Sequence, residues 1–143
     1  MATRKKSTVA QEVEKAAKLL QRYVRLKASD DDGYCQCVTC GKVDHYTAQQ
    51  GGHFYSRRHT VFKLFEENIH VQCPACNQWG MKTTKIQEAY RIYMEDMYGA
   101  RRIRAMQKLA WRASPKFDRE EVIQFQRELK EKIGQELYRI GDM

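Results

Sequence analysis

The stretch FEENIHVQCPACN, residues 65–77, decides how the rest of the chain is read. It ends in a Cys-x-x-Cys pair, Cys73 and Cys76, with Asn77 set directly against the second thiol. Asn77 is then either a polar residue capping the helix that follows, or an amide that the knuckle holds at a second cation. Working outward, a matching pair, Cys37 and Cys40, closes a loop of 32 residues between Cys40 and Cys73. Four thiolates around a tetrahedral zinc leave no open coordination position, so such a site is structural. Five cysteines are an odd number, and two Cys-x-x-Cys pairs in a reducing compartment argue for metal rather than disulfides. Cys35 is left over, read as a partly buried free thiol with substitution as a ligand the alternative. A bound zinc supplies folding free energy on the order of 10 kcal/mol, which a small core lacks.

The 143 residues suit one domain with a modest core. Net charge is +8 and the pI is about 9.3, which points to a polyanionic partner. The charge is uneven: residues 1–28 hold eight Lys or Arg against two acids, and residues 101–117 hold six against none. Such runs are often solvated helix faces, but two of them flanking a metal centre point to phosphate-backbone contacts. No apolar run is long enough for a transmembrane helix, and the first twenty residues lack the apolar core of a secretory signal. A soluble, cytoplasmic protein is expected.

Thr8 with Gln11 forms a capping box, and Val9, Val13, Ala16, Leu20 and Val24 then recur at helical spacing to about residue 27. Residues 28–72 show no sustained helical period and read as short strands and loops. Thr84 and Gln87 repeat the capping signature before a stripe of Ile86, Tyr90, Tyr93, Met94 and Met97 that ends at Gly99. A third helix runs on toward Ser114-Pro115. A last one starts at Asp118, with Phe117 stapling on Val122 and with Phe125, Leu129, Ile133 and Leu137 inward.

If zinc only fixes geometry, the chemistry lies in the loop it closes and just beyond. A histidine on a strand, an asparagine some fifteen residues later and a further N or O donor after the second knuckle is the layout of a ββα-metal, or HNH, nuclease centre. His53, Asn68 and Asn77 occupy those places. Hydrolysis of a phosphodiester needs a base for water, and the ordinary pKa of His lies nearest the operating pH. It also needs a divalent cation, Mg²⁺ or Mn²⁺, and amide and carboxylate oxygens suit one. His53 is then the base, Asn77 a ligand, and Asn68 the residue that fixes the loop so that His53 points correctly. Taken singly, His53 reads as a satisfied strand histidine, Asn68 as a turn former and Asn77 as a cap; their order between the knuckles favours function.

The texts CVTCG, GGHFYSRR, FEENIHVQCPACN and AYRIYMEDMYG resemble the phage NinG/Rap recombination nucleases over about residues 34–112. The chain is also similar to the phage endonuclease VII type of resolvase: two Cys-x-x-Cys pairs, a His between them, Asn77 after the last Cys, and Met81-Lys82 shortly after. The resemblance implies cleavage of branched DNA such as Holliday junctions or D-loops. Many members of the wider HNH class carry an Asp or His just before the catalytic histidine, and this chain has Gly52 there. Glu66 is the first choice for the missing carboxylate, with Glu67, Asp44 and His70 behind it. Arg57 and Arg58 follow His53 closely enough to clamp a phosphate, with His59 a further contact, and Lys82, Arg101 and Arg102 extend the DNA-binding set.

The expected fold class is α+β: a zinc-stabilised ββα-metal (HNH-like) nuclease core with flanking N- and C-terminal helices. Residues 1–30 form a basic N-terminal helix, 31–112 the zinc-binding core with its following helix, and 113–143 the C-terminal helix. Paired cuts in a branched substrate call for two sites, so a homodimer through the apolar faces of the first or last helix is expected, with recombination proteins as further partners. Two rivals remain: a zinc-ribbon module that binds nucleic acid and cuts nothing, and an HNH nickase without branch preference.

Overall fold

The computed structural model describes residues 5–56, 62–110, 112 and 116–142. Helix α1 (Val9–Lys27) starts at the predicted capping box: the Thr8 side chain accepts from the Gln11 N–H at 3.1 Å, and the Gln11 side chain accepts from the Thr8 N–H at 2.9 Å. Two backbone donors that a helix start leaves open are thereby satisfied. Val13, Ala16, Ala17, Leu20, Val24 and Leu26 are buried, while Val9, expected in the same stripe, is exposed.

Four short strands follow. β1 (Tyr34–Gln36) pairs antiparallel with β2 (Val43–His45), and β3 (Gln50–His53) pairs antiparallel with β4 (Ile69–Gln72). In the second pair Gly52 stands opposite His70 and His53 opposite Ile69. Helix α2 (Thr84–Tyr98) is capped by Thr83 and not by Thr84, because Thr83 has the extended backbone of a cap and its hydroxyl accepts from the Ile86 N–H. Gln87 turns back to the Met81 carbonyl instead of closing a capping box. Gly99, at φ 85°, ends α2 and lets the chain turn into α3 (Ala100–Ala110). Helix α4 (Arg119–Arg139) begins at Asp118, whose carboxylate accepts from the Glu121 N–H, as expected.

The architecture is α+β, with helices around two small antiparallel sheets. Its larger core lies between α1, α4 and the β3–β4 pair. Leu20 and Val24 meet Ile69 and Leu129 there, and at the other end Val13 and Ala16 meet Val122. Among these apolar residues sits Glu12, whose carboxylate accepts from Ser7 and from the buried Gln126 amide at 2.7 Å. Those hydrogen bonds hold its carboxyl down to about 2, so the charge is retained and satisfied. The apolar faces of α1 and α4, expected to carry a dimer, pack on each other within one chain. A second core gathers Phe62, Tyr90, Met94, Ile103 and Met106 between α2, α3 and the residues ahead of β4. Among the described residues, no helix is long and apolar enough to cross a membrane.

Candidate functional site

The first cysteine pair sits in the turn between β1 and β2. The Cys37 N–H donates to Lys42 O at 2.8 Å, and the Gly41 N–H donates back to Cys37 O, with Gly41 at φ 82°. The second pair follows β4, where the Cys76 N–H points at Cys73 Sγ and the Asn77 N–H donates to Cys73 O at 2.9 Å. A backbone bond from Val38 N–H to Val71 O brings the two turns together. The four Sγ atoms of Cys37, Cys40, Cys73 and Cys76 all lie within 4.8 Å of one another, and Cys40 and Cys73 approach to 3.6 Å. Zn–S bonds of about 2.3 Å in a tetrahedron set sulfurs about 3.8 Å apart, so the cluster could hold a zinc ion with shifts of about an ångström or less. Burial pushes the Cys76 thiol up to about 12, whereas at Cys37 burial is outweighed by hydrogen bonds led by Thr39, which hold the thiol down to about 6; a bound zinc would favour the thiolate of each. Cys35 is buried in β1, packed with Leu26 and Tyr46, outside this cluster.

His53 and Asn77 face the same space. Both line a cavity of about 680 Å³ whose walls include Gln21 of α1, Lys82, and Glu88 and Arg91 of α2. His53 closes β3 with its Nε2 buried. Behind it, Asn68 clamps the outgoing chain: its Oδ1 accepts from the Tyr55 N–H at 2.8 Å and its Nδ2 donates to Tyr55 O at 3.1 Å. Asn68 is fully buried, in a single helical turn (Glu66–Asn68) just ahead of β4 and not in the strand itself. Asn77 lies in the turn Ala75–Trp79, and its Nδ2 donates to Gln50 Oε1 at 2.8 Å, leaving Oδ1 as the atom available to a cation.

Close approaches explain the two glycines before His53. A Cβ at Gly51 would lie 2.9 Å from Cβ of Gln21, and one at Gly52 would lie 1.9 Å from Gln72 Oε1. Position 52 therefore has no room for an Asp or His while Gln72 fills that space. The Gly52 carbonyl accepts from the buried Tyr90 hydroxyl at 2.7 Å, and Tyr90 in turn meets His70, whose Nε2 lies 2.8 Å from the Tyr98 hydroxyl. Sequence reasoning assigned Tyr90 only to the α2 stripe; its hydroxyl contact depends on tertiary pairing and leaves no mark in spacing. Gln50, the partner of Asn77, was likewise missed.

The structure does not bring Glu66 to His53 and Asn77. Glu66 lines a separate cavity of about 780 Å³ with Glu67 and His70, and its carboxylate lies 3.1 Å from Lys27 Nζ. The reason is the turn Glu66–Asn68, which sends Asn68 inward to Tyr55 and leaves the acid ahead of it beside α1. Asp44 is on β2, facing Lys42 at 3.9 Å. The carboxylate on the His53–Asn77 cavity is Glu88, which pairs with Arg91 of the next helical turn. That pairing lowers the Glu88 pKa. Arg102 is engaged by Glu67 through two bonds of 2.8 and 3.0 Å, whereas Arg101 is exposed and Lys82 stands at the cavity. Arg57, Arg58 and His59 lie outside the described residues.

Comparison with curated proteins and with solved structures gives no match. The family comparison does: residues 2–138 match the family described as bacteriophage lambda NinG protein. That span takes in α1, both cysteine pairs, the His53–Asn77 cavity and nearly all of α4, and the chain belongs to the bacteriophage lambda NinG family.

Proposed function

We propose that this chain is a metal-dependent endonuclease of phage recombination that hydrolyses phosphodiester bonds in branched DNA. The observation that carries the reading is the shared cavity of His53 and Asn77, one from the end of β3 and the other from the turn that leads into α2. Strand, strand and helix in that order, with the cysteine cluster abutting Asn77, is the arrangement a ββα-metal centre requires. Membership of the NinG family supports a place in phage recombination.

His53 takes the proton from a water molecule as its oxygen bonds to phosphorus, and the P–O3′ bond breaks. Asn68 holds the backbone beyond His53 and so fixes the direction of the imidazole. Asn77 Oδ1 offers a hard oxygen donor, and Glu88 is the carboxylate on the wall among the described residues, donors of the type that suits Mg²⁺ or Mn²⁺. When bound, that cation supplies charge stabilisation at the departing oxygen. In this reading Lys82, at the cavity, and the exposed Arg101 contact flanking phosphates. Two copies would be needed for paired cuts, so a homodimer belongs to this reading.

A non-catalytic zinc-ribbon DNA-binding module is the second reading. It is favoured by Glu88, which is already paired to Arg91, and by the glycine at position 52. Incubation of zinc-loaded protein with a labelled four-way junction and Mg²⁺ separates the two. His53→Ala and Asn77→Ala should each lose at least about 100-fold in nicking rate with melting unchanged. Wild-type protein that binds the junction and never cuts it sinks the enzyme, and equal cutting of linear duplex removes the branch preference.

A further inference from the structure

We propose that Trp79 and Lys82 form a stacking site for an unpaired DNA base beside the His53–Asn77 cavity. The proposal rests on the DNA-binding part of the reading above and names the substrate feature that the site selects. Trp79 is 66% exposed, an unusual position for the largest apolar side chain, and the Lys82 ammonium lies 5.1 Å from its ring centroid. Gln78 on one side of it, and Met81 and Lys82 on the other, line the cavity.

The platform is held from below. Gly80 follows Trp79, and a Cβ there would lie 2.9 Å from Ile86 Cγ1, so α2 packs directly on the backbone of the turn. Ile86 itself packs on Cys37, Cys73 and Cys76. The Gly80 carbonyl accepts from the Thr83 N–H at 2.8 Å and from the Thr83 hydroxyl at 2.6 Å, and Met81 O accepts from the Gln87 amide at 2.7 Å. A backbone fixed in this way presents the indole at a set place, so little of the turn has to be ordered when a ligand binds. Lys82 stands over one face of the ring, so a nucleobase stacks on the other, near enough to the cation for its phosphate to meet it, and a base is available for stacking only where the duplex is interrupted.

Fluorescence titration tests this in a His53→Ala/Trp111→Phe protein, zinc-loaded and without added Mg²⁺, where Trp79 is the sole tryptophan. A short single-stranded oligothymidylate and a four-way junction with an unpaired arm should quench the emission, and a blunt linear duplex should not. Trp79→Ala should weaken binding of the first two by roughly 5- to 150-fold and leave the linear duplex unaffected, with Trp79→Phe in between. Circular dichroism melting of Trp79→Ala should match the parent, as the side chain is exposed. Emission that ignores all three DNAs, equal quenching by the blunt duplex, or unchanged affinity in Trp79→Ala overturns the proposal. The readout is binding alone: quenching in this variant beside a wild-type protein that never cuts removes the nuclease and keeps the stacking site, and wild-type cutting without quenching in the variant does the reverse.

Discussion

Gly52 is where the sequence departs from the wider nuclease pattern, and the packing around it gives the reason. Gln72 is fully buried, its Nε2 donates to the Thr39 hydroxyl at 3.2 Å, and its Oε1 occupies the space a side chain at 52 would take. Gly52→Ala should therefore cost about 1–3 kcal/mol and lower the melting temperature by roughly 3–10 °C. Adding Gln72→Ala should recover part of that loss; a single variant that melts with wild type would refute the account. His70 offers a second test at this scale. Burial lowers its pKa to about 4, so at neutral pH it is uncharged between Tyr98 and Tyr90. The unfolded chain takes up that proton near pH 6.5 and the folded one near 4, so stability present above 6.5 is lost as pH falls through this window. The loss approaches about 3 kcal/mol. Denaturant midpoints between pH 7 and 4 should fall more steeply for wild type than for His70→Gln, and parallel slopes would count against the assignment.

At the scale of elements, the cysteine cluster joins the β1–β2 turn, the end of β4 and, through Ile86, the start of α2. None of these pieces is long: the strands run three or four residues, too few to persist unaided. Stripping zinc with a strong chelator should unfold the region spanning β1 to α2, visible as lost circular dichroism and a lower melting temperature; an unchanged melt would contradict a structural metal. The helix starts at Thr8 and Asp118 were legible because caps are local, chemical and confined to a few residues. The cysteine pairing was legible because a metal fixes ligand type and spacing. The position of Glu66 was not, because the turn Glu66–Asn68 rotates consecutive residues to different sides and only the fold decides which side meets which cavity. Glu88 and Arg91, three residues apart on a helix, look in the sequence like any surface pair.

Across the whole molecule, the positive charge read from composition is partly structural. Arg25 donates to the carbonyls of Tyr46 and Gln49, Arg119 to Ser7 O, and Arg139 to the carbonyls of Leu26 and Ser29. These guanidiniums hold loops and helix ends in place, so counting basic residues overstates what remains for a polyanion. The long contact between α1 and α4 could not be read from either stripe alone, since an apolar face does not name its partner. It closes across 114 positions at the Gln126–Glu12 bond, and α1 also supplies Gln21 to the cavity wall. During translation, α1 therefore waits with Leu20 and Val24 lacking Leu129 until α4 has left the ribosome. Ribosome-stalled chains ending at residue 118 should be readily digested by protease while chains released at full length resist it. The His53–Asn77 cavity, walled in part by α1, is in this way set only once the last helix has emerged.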